Sequence, residues 1–376
     1  MLGTPALKSE GILWKITMKK KKTRIGLLSK FYPEFDTIGK IYCKYLLDIA
    51  KEKKDIEFIT IGSQESYSRY RINMKSLFLA KEIKRIIKKE KIDLLHIQYI
   101  APFYSKKLLN INLWQVYNLK VPIITTMHEV QYPDKGGIYG LKEKILGLTE
   151  GVIIKKSKKV TVHAPYQKKF LENKYHAHNI ENIYTGIDPK KKPKRRGKNI
   201  IFFGMFSKNK GIDKLILAMK KLNDFSLTIG GSIPDNYAKN CFRQFKGLIK
   251  EKNLKNVKII AKPWVSDKEK CELFYKSDIV VIPYDWGPYN SGLVQDAAEY
   301  FLPHAVNKVG AIWEVTDKFK MGEVMRNNSP GEIVKTVLKI DKNYEKYKKG
   351  LKKYRNVTRW QNLKKQYYKI YKEVVS

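Results

Sequence analysis

Short apolar runs alternate with longer amphipathic stretches along the chain. Residues 24–29 (RIGLLS), 56–61 (IEFITI), 93–98 (DLLHIQ), 122–127 (PIITTM) and 159–163 (KVTVH) are rich in β-branched and aliphatic side chains, and turn formers follow each. Runs of that length and composition predict strands. Residues 41–51 and 79–89 instead repeat their apolar side chains at helical spacing. Such alternation gives a parallel sheet with helices on both faces. A second series begins at residues 199–204 (NIIFFG) and continues at 226–230, 257–260 and 278–282. The predicted fold is therefore α/β, with two Rossmann-like doubly wound domains facing each other across a cleft.

Between the two series lies DPKKKPKRRGK, with seven basic residues from Lys190 to Lys198, two prolines and one glycine. It reads as an exposed linker. The expected organisation is a disordered extension at residues 1–18, a first domain over 19–188, the linker at 189–198 and a second domain over 199–342. The chain then ends in a helix within 343–376 that packs back on the first domain. Leu363, Tyr367, Ile370, Tyr371 and Val374 share one face of that helix.

Composition sharpens this picture. With 376 residues the chain exceeds one typical core, and 43% hydrophobic content is that of a globular protein. The net charge of +40 points to an anionic partner such as a phosphorylated ligand, a membrane face or nucleic acid. The lysines are spread along the whole chain, however, which also fits an ordinary lysine-coated surface. Cys43, Cys241 and Cys271 form no CxxC pair, so a reduced, cytoplasmic protein is expected. No apolar run reaches the roughly 20 residues needed to span a bilayer.

Ligands of open α/β sheets bind where strands end at their carboxyl edge. Three such ends carry suggestive residues. His128 follows residues 122–127, and a lone histidine there is more often structural than functional. Gly204 permits a tight turn after the first strand of the second series, and Lys210 next to Gly211 can project a cation. After residues 278–282, Ser291 is a good N-cap before Gly292, Leu293 and Val294. Free N–H groups at such a helix start attract anions. Together, an imidazole, an ammonium and a helix tip suit a diphosphate-bearing ligand. The HAH at His176–His178 lacks further ligands at metal-binding spacing.

Ten segments, in order and spacing, resemble family 4 glycosyltransferases of the GT-B fold. They run from FYPEFDTIGKIYCKYLLDIA, IDLLHIQY and VPIITTMHEV through KKVTVHAPYQKKFL, ENIYTGID and IIFFGMFSKNKGIDKLILAM. The series closes with FSLTIGG, ELFYKSDIVVIPY, SGLVQDAAEYFLPHAVNKVGAIWEV and a terminal W…Y..IY. The resemblance implies transfer of a sugar from a nucleotide-diphosphate donor to an acceptor hydroxyl, usually with retention. No metal or cofactor is implied beyond the nucleotide sugar as co-substrate. It places Lys210 against the donor phosphates and the backbone of Gly292, Leu293 and Val294 around the diphosphate. Gly204 and Gly39 match glycines of the two phosphate-side loops, and His128 matches the catalytic cleft histidine beside the transferring sugar.

Several positions depart from the pattern. The usual arginine after Gly204 is Met205, and the paired glutamates fall on Tyr289 and Ala297. A PY…SG…A subset of the family also lacks those glutamates, and Asn290 and Ser291 offer neutral hydrogen bonds to a sugar instead. The resemblance implies a glycan or lipid-linked acceptor, and with it polysaccharide or surface-glycan synthesis on the cytoplasmic face of a membrane. Residues 79–89, with YSRYR upstream, read equally as a basic face for anionic headgroups and as an ordinary Rossmann helix with a lysine-coated outside. A nucleic-acid partner is disfavoured, since no groove-reading or base-stacking module is recognisable. The missing acidic and arginine positions leave one alternative: a catalytically impaired partner subunit of another glycosyltransferase.

Overall fold

The computed structural model describes residues 22–31, 42–104, 110–130, 137–191, 197–286 and 291–376, with backbone alone over 137–143. Seven strands form the first sheet: β1 (Thr23–Leu28), β2 (Ile56–Ser63), β3 (Tyr70–Ile72), β4 (Leu94–Tyr99), β5 (Ile123–Met127), β6 (Lys159–Val162) and β7 (Ile180–Asn182). Six form the second: β8 (Asn199–Phe203), β9 (Ser226–Ser232), β10 (Val257–Lys262), β11 (Ile279–Ile282), β12 (His304–Asn307) and β13 (Gly322–Met325). The orders are β3-β2-β1-β4-β5-β6-β7 and β10-β9-β8-β11-β12-β13. Neighbours pair in parallel throughout, as at Ile25↔Leu94 and Ile279↔Ile200. Each order reverses once, at β1/β4 and at β8/β11, and such switch points are where doubly wound folds bind ligands.

Every strand expected from the apolar runs is present, within one or two residues at its ends. β3, β7, β12 and β13 were not anticipated. β3 and β7 are three-residue edge strands (YRI and IEN) with no apolar run to mark them. β12 (HAVN) is fully buried, yet carries a histidine whose Nε2 lies 2.9 Å from Thr316 Oγ1.

Residues 343–376, expected as a helix returning to the first domain, form two helices. Tyr344–Val357 packs on the second domain, contributing Tyr344, Tyr347, Leu351 and Tyr354 to its core. The chain then turns at Thr358, whose hydroxyl donates to Tyr354 O at 2.8 Å. Trp360–Val375 returns to the first domain and buries Trp360, Leu363, Tyr367, Ile370 and Tyr371 beside β1 residues Ile25 and Leu27. Full burial of side chains that size stabilises by roughly 1.5–3 kcal/mol each. The two crossings between domains touch. A parallel bridge joins Ile187 to Arg359, and a Cβ on Gly186 would lie 2.2 Å from the Trp360 ring.

The carboxyl edges of the two sheets face one another. Pro165–Tyr175 follows β6, Ile312–Phe319 follows β12, and both helices begin at those edges. The Tyr166 N–H donates to Glu314 Oε2 at 2.6 Å, so the helix starts meet across the gap.

Candidate functional site

At the second switch point, β8 opens into Gly204, whose φ is +153° and around which an added Cβ would meet nothing within 4 Å. A single tight turn, Lys208–Lys210, then leads to Gly211. Gly211 adopts φ +63°, and a Cβ there would sit 2.0 Å from Pro283 O. Only glycine lets this loop rest on the end of β11. The seat is fixed further by the Asp285 N–H donating to Asn209 O at 2.9 Å and Asn328 Nδ2 donating to Pro283 O at 2.8 Å.

This seat fixes Lys210. Its side chain is buried, and Nζ lies 3.8 Å from the centroid of the Tyr284 ring, a cation–π contact. Burial pushes the Lys210 pKa down to about 8. The same tyrosine reaches the next helix, with Tyr284 Oη 3.1 Å from Ser291 Oγ. Ser291 caps the helix Gly292–Glu299, its Oγ accepting from the Leu293 N–H at 3.2 Å. Val294 N donates to Ser291 O at 3.0 Å. Leu293 and Val294 thus spend their N–H groups within the cap, while Gly292 is exposed and a Cβ on it would meet nothing within 4 Å. Asn290, Tyr289 and Gly39 lie outside the described residues.

The departures from the family pattern have clear surroundings. Met205 is 49% exposed beside Gly204, while Ala297 is wholly buried in the core. Asp296 pairs with Lys270 at 2.5 Å. Glu299 accepts from the Asp188 N–H at 3.0 Å, and burial raises its pKa to about 7.

Across the gap, His128 follows β5 and is buried. Its Nδ1 lies 3.0 Å from His163 Nε2, and His163 Nδ1 lies 3.0 Å from Ile183 O. Its Nε2 lies 2.8 Å from the Gln98 amide oxygen, and Gln98 Nε2 lies 3.0 Å from His96 Nε2. Burial drives the pKa of His96 to about 3, that of His163 to about 4 and that of His128 well below the ordinary histidine value. All three rings are therefore neutral at pH 7, and the carbonyl of Ile183 sets their tautomers. It can only accept, so His163 carries its proton on Nδ1 and turns an Nε2 lone pair to His128. His128 then donates from Nδ1 and presents its Nε2 lone pair to Gln98. That contact is satisfied when the amide turns its NH₂ end to the ring, an exchange of two isosteric ends.

The C-terminal helix closes this cluster from beneath: Tyr371 Oη lies 2.8 Å from His96 Nδ1, and Tyr367 Oη lies 2.5 Å from Tyr42 Oη. Tyr42 sets its ring edge-on to His128 at 5.1 Å. Both ring nitrogens of His128 are engaged inside the domain. Tyr284, His163 and Gln98 were not singled out from sequence. Tyr284 lies in a turn signature, and the other two are drawn to His128 by the parallel register of β4, β5 and β6. Among the described residues no cluster of His, Cys, Asp or Glu is arranged to hold a metal ion.

Paired doubly wound domains with opposed carboxyl edges are the GT-B architecture. Residues 47–191 match the family model described as Glycosyltransferase Family 4, and residues 185–356 match Glycosyl transferases group 1. The chain is therefore a glycosyltransferase of that architecture, and it belongs to family 4. A 41.2 kDa protein in the cps region of Klebsiella pneumoniae is 25% identical over 281 residues, covering 70% of this chain and 72% of its own. Sucrose-phosphate synthase from Thermosynechococcus elongatus has a similar structure, with TM-score 0.70 at 16% identity over 94% of this chain and 99% of that one. Anabaena HepE in complex with UDP-glucose aligns with TM-score 0.69 at 12% identity, over 93% and 99% of the two chains.

Proposed function

We propose that the chain moves a sugar from a nucleotide-diphosphate donor to a hydroxyl of a glycan or lipid-linked acceptor, with retention and without a metal. The observation that carries this reading is the linkage of Lys210, Tyr284 and Ser291 at the second switch point. As the glycosidic bond breaks, negative charge develops on the β-phosphate. A fixed ammonium and the positive end of a helix stabilise that charge more in the transition state than in the bound donor. A phosphate beside Lys210 would also lift the pKa of its ammonium back towards the ordinary lysine value.

In this reading Gly204 and Gly292 leave room for the diphosphate, and Leu293 and Val294 fix the cap that presents it. Ser291 and Asn290 hydrogen-bond the sugar, and Gly39 belongs to the loop on the opposite side. His128 lines the sugar side as a neutral ring held in one orientation. The UDP-glucose in the Anabaena relative supports a nucleotide-sugar donor, and the cps-region relative supports a surface glycan as product. Cytoplasmic work at the inner face of a membrane fits such a product. Among the described residues no helix is long and apolar enough to cross a bilayer.

The test is incubation with radiolabelled nucleotide sugars and a lipid extract, with the anomeric proton of the product followed by NMR. Transfer with retained configuration, lost in Lys210→Ala, is the expected result. Exposed Met205 and buried Ala297 favour one second reading, a partner subunit impaired in catalysis. Nucleotide binding without transfer or hydrolysis for any common donor would select it.

A further inference from the structure

Leu77 and Phe78 are 68% and 69% exposed, and they sit side by side just beyond the carboxyl end of β3. Their exposure is built into the backbone. Ser76 N donates to Asn73 O at 3.0 Å, Phe78 N donates to Ser76 Oγ at 3.0 Å, and Leu79 N donates to Ser76 O at 3.2 Å. These successive turns hold the two side chains outward. A third apolar side chain lies nearby: Ile111, 47% exposed, opens a helix whose Asn112 Nδ2 donates to Met74 O at 2.9 Å.

Cations flank this patch and continue along the helix that follows it. Lys75, Lys81, Lys84, Arg85 and Lys88 are all exposed, and Glu82 is the sole carboxylate between Lys75 and Lys88. The helix Leu79–Glu90 spends its apolar face on the domain core, burying Leu79, Ile83 and Ile86. It therefore has no apolar face left for a membrane. What it offers outward is a cationic flank beside two apolar side chains.

We propose that Leu77 and Phe78 form a wedge that enters an anionic lipid surface while Lys75, Lys81, Lys84, Arg85 and Lys88 bind its headgroups. Apolar side chains beside a cationic flank match the interface of an anionic bilayer, which is apolar within and negative at its surface. The wedge lies at the carboxyl edge of the first sheet, the edge that also carries His128. A bilayer meeting it there is beside the cleft mouth, where an acceptor on a lipid carrier would enter. The placement deepens the proposed lipid-linked acceptor and rests on that reading only for its purpose; the lipid contact itself stands on the exposed side chains and charges.

The full chain is tested by co-sedimentation with phosphatidylcholine vesicles, with and without phosphatidylglycerol, at low and high salt. Binding is expected only to the anionic vesicles and is weakened by salt. Leu77→Ser with Phe78→Ser should weaken it by about tenfold or more. Changing Lys81, Lys84 and Arg85 to Gln should weaken it by about fivefold per charge. Phe78→Trp should gain quenching by brominated lipids relative to the unsubstituted chain. Donor hydrolysis without lipid, measured on the same variants, is expected to stay unchanged; it tests the glycosyl-transfer reading separately. Equal vesicle binding by the wedge variant, or no quenching at Trp in place of Phe78, overturns the proposal. So does a chain that ignores vesicles but self-associates through this patch, as seen by a sedimentation shift that the wedge variant abolishes.

Discussion

Lys210 Nζ stands 3.8 Å from the centroid of the Tyr284 ring, and the hydroxyl of that ring stands 3.1 Å from Ser291 Oγ. One tyrosine thus joins the two features that can hold a diphosphate. Tyr284→Phe keeps the ring beneath the ammonium and removes only the contact to the helix cap, worth roughly 0.5–1.5 kcal/mol. Donor affinity should fall a few-fold. Tyr284→Ala removes the ring as well and frees the ammonium, adding a further loss of roughly 1–2 kcal/mol. Calorimetric titration with a nucleotide diphosphate separates the two variants. Equal losses for Phe and Ala would mean that the ring does nothing for Lys210.

Lys210 is also a stability cost. Its folded-state pKa, about 8, lies below the ordinary 10.5 because the ammonium is buried. The folded protein therefore binds fewer protons than the unfolded chain between those values, and stability rises with pH through that window. At pH 7 the folded state bears the full burden of the buried charge. Lys210→Met should raise unfolding stability by roughly 1–3 kcal/mol at pH 7, less at pH 9, while abolishing donor binding. Chemical denaturation at both pH values reads the effect. A variant less stable than the parent at pH 7 would show that the ammonium is already compensated in the free protein.

The two glycines of this region make opposite demands. Gly211 adopts φ +63° and would press a Cβ to 2.0 Å from Pro283 O, whereas Gly292 faces open space. Gly211→Ala should cost roughly 2 kcal/mol or more in stability, through the left-handed backbone and the displaced strand end together. Gly292→Ala should fold as well as the parent, or better by a few tenths of a kcal/mol, because it adds a helix former. If the diphosphate lies against Gly292, that same added methyl should raise KM for the donor with little change in stability. Thermal unfolding and donor kinetics on the pair distinguish a folding role from a binding one.

Most of this architecture was legible in the sequence, because buried parallel strands are continuous apolar runs. IVVI at β11 and NIIFF at β8 announce themselves. IEN at β7 cannot, because an edge strand of three residues is recognised by its neighbour and not by its own side chains. The site divides along a similar line. Lys210 before Gly211 and Ser291 before Gly292 are local signals, each readable from adjacent residues. Tyr284 announces only a turn, and its double contact exists because the seat on Pro283 sets Lys210 above it. The partners of His128 depend on register: Gln98 pairs across to Thr126, and Thr126 to Thr161. Such alignments follow from the assembled sheet.

The histidine cluster gives the fold an acid limit. His96 and His163 have folded-state pKa values of about 3 and 4, His304 is lowered to about 4, and His128 is held well below the ordinary 6.5; burial is the main cause in each. Well above pH 6.5 these rings are neutral in both folded and unfolded chains and add no pH dependence to stability. As pH falls from 6.5 towards 4, the unfolded chain takes up protons that the folded protein refuses, so stability is lost. The rings should contribute a slope of about 1.4 kcal/mol per pH unit each, or roughly 4–6 kcal/mol per unit for the four together. Glu299, raised to about 7, offsets about one ring's share of it above about pH 4.5. Denaturant unfolding between pH 7 and 4.5 measures it. His163→Gln should lower the slope by about one ring's share, whatever it does to stability at pH 7, because it removes one refused proton. An unchanged slope would mean that His163 is protonated in the folded state and shares that proton with His128.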